Sequence, residues 1–254
     1  MILTSQNLVQ WAVFPEWESD PDLFHAFSTR IGGVSTGRMA SLNLGKTEFD
    51  SPEHVRENRQ RFSAALDINP DRMARCIQVH SATVHRVEQP GVLDRCDGLL
   101  TDTPDLFLVI GVADCLVLFI TTEDRKVIGA LHAGWRGITA GILPSAIRKI
   151  GQEWRYDSSQ LELGISPGIG PCCYEVGAEV AEQFPDSVIH NKRNSLYLDM
   201  TAAVQKQATE AGVPAPRIYS SGRCTSCEDD YWFSYRRNHK VTGRMWGVIA
   251  RKRK

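Results

Sequence analysis

Apolar residues fall in short runs along much of the chain, and two of these runs frame its most informative segment. Residues 116–120 and 127–131 are apolar and are separated by Thr121-Thr122-Glu123-Asp124-Arg125-Lys126. Two short apolar runs around a polar stretch predict a β-hairpin. Cys115 ends the segment Val112-Ala113-Asp114-Cys115 and is read as lying on the first strand, with His132 on the second. Side chains alternate across a strand, so any antiparallel register whose paired numbers sum to an odd value puts both on one face. A register centred between Glu123 and Asp124 sets them directly opposite. A thiol and an imidazole so placed suit either a metal or a nucleophile–base pair.

The same patterning predicts strands at residues 24–29, 77–80, 83–87, 106–111, 217–220 and 244–250. Ser51-Pro52-Glu53 reads as an N-cap with proline at the first helical position, followed by the apolar stripe Val55, Phe62, Ala65 and Leu66. Helices are also predicted at residues 138–150, 176–184 and 201–211, the last ended by Gly212. Strands and helices do not alternate regularly, which favours α+β over a doubly wound sheet. No repeat or linker divides the chain, so residues 1–254 are read as one domain.

Composition narrows the function classes. A net charge of -1 and dispersed basic residues give no reason to expect a nucleic-acid partner. No apolar stretch approaches a membrane span, and residues 1–17 lack the basic start and small-residue cleavage site of a signal peptide. Seven cysteines, two of them adjacent, are poor material for a disulfide framework, so a reducing, cytoplasmic setting is expected. The basic tail at residues 251–254 reads as a frayed, solvated terminus.

Among candidate chemical groups, His80 lies in Gln78-Val79-His80, near a predicted strand end, and completes a Cys-His-His set with Cys115 and His132. Zinc accepts one thiolate and two imidazoles, and its catalytic sites keep a further position open. The alternative is a small buried cysteine beside two structural histidines. Residues 30–37 form a glycine-rich loop without the lysine of a P-loop, where Arg30 is a candidate anion contact. Trp135-Arg136-Gly137 is read as opening a helix, which makes Arg136 a second anion candidate. Cys224 and Cys227 form a C-x-x-C, but a zinc knuckle needs a second pair and the adjacent Cys172 and Cys173 have the wrong spacing. They are read as structural or incidental.

Several segments together resemble one family. They are Phe27-Ser28-Thr29-Arg30, Gly32-Gly33-Val34-Ser35, Ser41-Leu42-Asn43, Gln78-Val79-His80, Cys96-Asp97-Gly98 and Ala113-Asp114-Cys115. They continue with His132-Ala133-Gly134-Trp135-Arg136-Gly137, Gly170-Pro171, Tyr174-Glu175-Val176-Gly177, Cys224-Thr225 and Phe233-Ser234-Tyr235-Arg236-Arg237. This is the YfiH-type laccase-domain family, whose members are described as purine nucleoside phosphorylases or as multicopper polyphenol oxidases. The resemblance implies an α+β single domain with mixed sheets packed between helices, distantly like cysteine-hydrolase toxins. It also implies a zinc site whose ligands match His80, Cys115 and His132. The implied activity is phosphorolysis of adenosine, inosine and methylthioadenosine, with deamination of adenosine.

On this reading purine nucleosides and phosphate are the partners, Arg30 and Arg136 meet the anion, and Asn43 contacts substrate. Cys115 and Asp114 are the candidate catalytic groups, Asp114 as proton carrier or as support for a ligand. A copper-dependent polyphenol oxidase is the weaker alternative, because the seven histidines are scattered and none forms an H-x-H pair. A Cys-His hydrolase acting on an amide or a peptidoglycan precursor, with Cys115 as nucleophile and His132 as base, is another. Oligomeric state is left open.

Overall fold

Every residue of Leu116–Thr122 and Ile128–Ala133 is buried, the pattern of strands covered on both faces. The computed structural model describes residues 1–253. The chain begins with β1 (Ile2–Gln6), β2 (Val9–Val13), α1 (Pro15–Glu18) and β3 (Leu23–Ser28). Next come α2 (Pro52–Ala65), β4 (Met73–Cys76), β5 (Val84–Arg86), β6 (Gly91–Leu93) and β7 (Gly98–Thr101). The centre is β8 (Phe107–Val112), β9 (Leu116–Thr122), β10 (Ile128–Ala133), α3 (Trp135–Thr139) and α4 (Ile142–Trp154). Then follow β11 (Leu161–Ile165), β12 (Glu175–Val176), α5 (Ala178–Ala181), β13 (Ile189–Lys192) and β14 (Ser195–Leu198). Helix α6 (Met200–Glu210), β15 (Ile218–Ser220) and β16 (Met245–Arg251) complete the order.

A seven-stranded sheet runs β1-β2-β3-β16-β8-β4-β6, a six-stranded sheet β15-β11-β9-β10-β7-β5, and a small third sheet β12-β14-β13. Both large sheets mix parallel and antiparallel pairs. The period of two on β9 separates two cores. Leu116, Leu118 and Ile120 face α4 and α6, whereas Val117 and Phe119 meet Phe14, Trp17 and Phe27 between the sheets. A third cluster packs α2, through Phe62, on Val109 and Val248 of the seven-stranded sheet. The architecture is therefore helix, sheet, sheet, helix, an α+β single domain as the sequence implies. Among the described residues, no helix is long and apolar enough to cross a membrane.

Local chemistry explains the boundaries. The Ser51 side chain accepts the His54 N–H and Pro52 starts α2, as predicted. The helix predicted at residues 138–150 divides into α3 and α4 because Gly141 takes a left-handed conformation, φ 80°. The helix predicted at residues 176–184 shrinks to α5, with Val176 given to β12.

Three expectations need correction. The β9–β10 register pairs His132 with Val117, two residues from the predicted partner, and Cys115 sits in a bend just before β9. The turn is longer than the hydropathy pattern implies. Thr122 and Val127 close it, and Arg125 adopts φ 59° at its tip. The two-residue offset preserves parity, so the face shared by Cys115 and His132 survives. Residues 77–80 are not a strand: the Ile77 N–H meets the Leu93 carbonyl, but the Val79 and His80 N–H groups turn inward to a carboxylate. The basic tail is anchored rather than frayed. Arg251 belongs to β16 and donates to the Asp102 carbonyl, the Arg253 N–H meets Asp105, and Lys254 lies outside the described residues.

Candidate functional site

Asp97, which immediately precedes β7, organises the site. Its carboxylate, 0% exposed, accepts the backbone N–H groups of Val79 (3.2 Å), His80 (3.0 Å) and Ser81 (2.7 Å), and also the Ser81 hydroxyl (2.8 Å). These bonds replace the ladder that a strand at residues 77–80 would have made, and they hold His80 at φ 61°. The same carboxylate accepts a hydrogen bond from His132 Nδ1 at 2.8 Å, while the Asp97 carbonyl accepts the His132 N–H at 2.7 Å. One buried anion thus fixes both histidines. With Nδ1 committed, the His132 ring has Nε2 left as a ligand atom.

The Cys115, His80 and His132 ligand atoms lie within 4.8 Å of one another, and the two imidazole centroids are 4.7 Å apart at 77°. Burial pushes the Cys115 thiol up, but the charge and hydrogen bonds of His132 and then His80 outweigh it and bring it down to about 6. Burial alone would lower His132. The Cys115 thiolate and the Asp97 carboxylate instead raise it to about 9. Burial works against the Asp97 charge, yet its bonds to His132 and Ser81 hold its carboxyl well below the usual carboxylate range. Two imidazoles and a thiolate suit zinc in kind and number. Gly134 supports the fit, since a Cβ there would stand 2.9 Å from Cys115 Sγ and 3.4 Å from the His80 ring. Glycine at this position leaves room beside the sulfur.

The donor set opens into a cavity of about 800 Å³. Lys46, Arg59, Arg75, Arg136 and Arg244 all line it, and among the described residues no carboxylate does. Burial, followed by the neighbouring charge of Arg75, lowers Arg59 to about 10; burial also lowers Arg244. Such a concentration of cations without counter-charge favours an anionic ligand. Arg59 and Arg75 lie over the Trp246 ring and Arg244 over Tyr235, so stacking holds several of these side chains.

The residues predicted from sequence separate into two groups. His80, Cys115, His132 and Arg136 share the cavity, and Arg136 is exposed over Trp135. Arg30, Asn43 and Asp114 do not line it. Arg30 binds Asp229 at 2.6 Å and the Ala40 carbonyl at 2.7 Å, so its guanidinium serves a loop. Asn43 is buried, with its amide bound to Asp50, Gly45 and the Arg244 N–H. The Asp114 carboxylate accepts the Thr225 hydroxyl at 2.6 Å and the Arg236 N–H at 2.7 Å, which makes it a clamp between loops. Asp97 and the cations Arg59, Arg75 and Arg244 were not singled out as site groups by sequence reasoning. The sole signal was the position of Asp97 within Cys96-Asp97-Gly98.

Residues 24–252 match the family model described as multi-copper polyphenol oxidoreductase laccase, which makes this a laccase-domain protein. A purine nucleoside phosphorylase of Deinococcus radiodurans is 39% identical over 230 residues, covering 89% of this chain and 88% of its own. The purine nucleoside phosphorylase YlmD of Geobacillus stearothermophilus is 34% identical, with 89% of each chain covered. The crystal structure of YlmD from Geobacillus stearothermophilus superposes with a TM-score of 0.91 at 31% identity over 99% of each chain. That of a Bacillus licheniformis hypothetical protein, YfiH, gives 0.90 at 29% identity over 97% of each. The chain belongs to the YfiH-type laccase-domain family.

Proposed function

We propose that this chain is a zinc-dependent purine nucleoside phosphorylase, cleaving adenosine, inosine and methylthioadenosine and also deaminating adenosine. The observation that carries the reading is a single cavity combining a His-His-Cys donor set with five cations and, among the described residues, no carboxylate. The names of the Deinococcus and Geobacillus relatives support the same substrate class. The seven free thiols fit work in a reducing, cytoplasmic setting.

His80, Cys115 and His132 would hold the zinc, with Cys115 a ligand rather than an attacking group. Zinc held there would supply Lewis-acid polarisation and acidify water for deamination. Arg136, Arg75 and Arg244 attract phosphate and orient it, so that one oxygen faces the anomeric carbon. In phosphorolysis that oxygen bonds to C1′ as the C1′–N9 bond breaks; the purine leaves with the bonding pair and takes up the proton that the attacking hydrogen phosphate gives up. Tyr235, at the cavity rim, offers a ring face to the base. Asp114 acts as a positioning residue through Thr225 and Arg236.

Chromatography of adenosine incubations tests the proposal. Without phosphate the products should be inosine and ammonia; with phosphate, adenine and ribose 1-phosphate should appear as well. Chelation should abolish both, and turnover that survives complete metal removal would overturn the mechanism. One observation favours a second reading, a Cys-His hydrolase. The Cys115 and His132 ligand atoms lie within 4.8 Å, and each group shifts the other towards its charged form, as a nucleophile–base pair requires. In that case metal removal leaves activity intact and an alkylating agent traps Cys115 stoichiometrically.

A further inference from the structure

Four cysteines outside the cavity meet at one point. Cys172 and Cys173 come from the turn after Gly170-Pro171, and Cys224 and Cys227 from the turn that follows β15. Their four Sγ atoms all lie within 4.8 Å of one another. Cys227 Sγ is 3.4 Å from both Cys172 Sγ and Cys173 Sγ. A disulfide would bring two sulfurs to about 2.05 Å. Four sulfurs around a tetrahedral zinc, at about 2.3 Å each, stand about 3.8 Å apart. The spacing here is that of ligands to a shared cation.

The backbone is also arranged for thiolates. The Gly170 N–H donates to Cys224 Sγ at 3.2 Å. A donor directed at the first sulfur of a C-x-x-C turn favours its charged form. Arg237 donates to the carbonyls of Thr225 and Ser226, and Lys192 to that of Pro171. Lys192 thus brings a cation to the Cys172-Cys173 turn, while Arg237, itself paired with Asp229 at 2.8 Å, braces the Cys224-Cys227 turn through its carbonyls. The spacing argument against a zinc knuckle fails because the second pair comes from adjacent residues on a different loop, which the parallel bridge between Gly168 and Cys224 brings alongside.

We propose that Cys172, Cys173, Cys224 and Cys227 form a second metal site, a tetrathiolate centre that takes zinc and staples these two loops together. A closed four-sulfur shell leaves no position for substrate, so the role is structural. It reaches the cavity indirectly. The stapled loops carry Thr225, whose hydroxyl holds the Asp114 carboxylate, and Ile169, whose N–H holds the Asp114 carbonyl at 2.9 Å. Asp114 precedes Cys115, so the staple fixes the backbone that presents the cavity thiol.

The test is zinc stoichiometry of the full chain, reduced, stripped with chelator and titrated with zinc alone. Wild type should bind two ions per chain. Cys224→Ser with Cys227→Ser should bind one. Cys115→Ala with His132→Ala leaves all four cysteines in place and should also bind one. Cobalt in that second variant should give the charge-transfer spectrum of an all-sulfur tetrahedral site. Zinc should protect its exposed Cys172 and Cys227 from iodoacetamide. The second variant keeps the proposal falsifiable if the serine variant fails to fold. No bound ion there, or a serine variant that matches wild-type stoichiometry, overturns the proposal. Both readouts are independent of turnover, and failure of the cavity zinc reading is distinguishable: wild type would then bind one ion and the serine variant none.

Discussion

Replacing Asp97 with asparagine tests whether one buried carboxylate assembles the metal-ligand set. One carboxylate oxygen accepts from the His80 N–H and from His132 Nδ1; the other accepts from the Val79 N–H, the Ser81 N–H and the Ser81 hydroxyl. Asparagine keeps the shape but exchanges one of those oxygens for a donor. Whichever way the amide turns, its NH₂ faces at least two N–H groups that lose their acceptor. Each unmet buried donor costs about 1–3 kcal/mol, so a destabilisation of about 2–6 kcal/mol is expected. Loss of the partner that orients a ligating imidazole should also weaken zinc binding about 10–100-fold. Urea unfolding of the metal-free protein reads the first effect, and competition with a chromophoric chelator reads the second. Ser81→Ala is the control; it removes a single hydroxyl and should cost about 1 kcal/mol with zinc affinity almost unchanged. An Asp97→Asn protein within about 1 kcal/mol of wild type, with undiminished zinc affinity, would refute the argument that this anion builds the site.

Gly134→Ala would place a methyl 2.9 Å from Cys115 Sγ. A φ of -85° admits alanine, but alanine is a poorer N-cap than glycine and the methyl must displace the sulfur, so zinc affinity should fall in a chelator titration with an unfolding loss of about 1 kcal/mol. Arg136→Ala should slow phosphate-dependent cleavage of adenosine more than its deamination; equal loss of both would assign Arg136 to general binding or folding. His25 sets an acid limit on stability. Buried between Phe14 and Trp17, it accepts the Phe14 N–H through Nε2, and burial lowers it from 6.5 to about 4. A folded-state value below the unfolded one means that its contribution is complete above about pH 6.5 and is lost as the pH falls through 4, by about 3 kcal/mol. Urea midpoints measured across this window should drop in wild type and flatten in His25→Gln; parallel curves would reject the assignment.

What was legible in the sequence is what local pattern encodes. The apolar runs on either side of residues 121–126 located β9 and β10, and odd parity placed Cys115 and His132 on one face even though the register was wrong by two. Hydropathy cannot count turn residues, and here a hydrogen bond from the Val127 N–H to the Thr122 hydroxyl lengthens the turn. The segment at residues 77–80 reads as a strand because its residue types suit one, whereas the Asp97 carboxylate claims the N–H groups of Val79 and His80. Arg30 stands out through the glycine-rich loop and Asn43 through the family resemblance, yet their bonds are internal. Arg59, Arg75 and Arg244 come from a helix, a strand and a loop, and only the closed fold joins them. No spacing rule anticipates that convergence, and the same holds for the four-cysteine cluster.

Strand β16 occupies the middle of the seven-stranded sheet, between β3 and β8, although both neighbours are made long before it during synthesis. Until Met245–Arg251 leaves the ribosome, those two strands have no partner for the edges they will share with it. Phe27, Leu108 and Ile110 then lack the cover of Ile249 and Met245. Closure is thus a late, long-range event, of the kind that slows folding and leaves apolar edges open to other chains. A nascent chain arrested just short of β16 should need chaperone protection, because its inter-sheet core stays open until that strand is threaded between the waiting two.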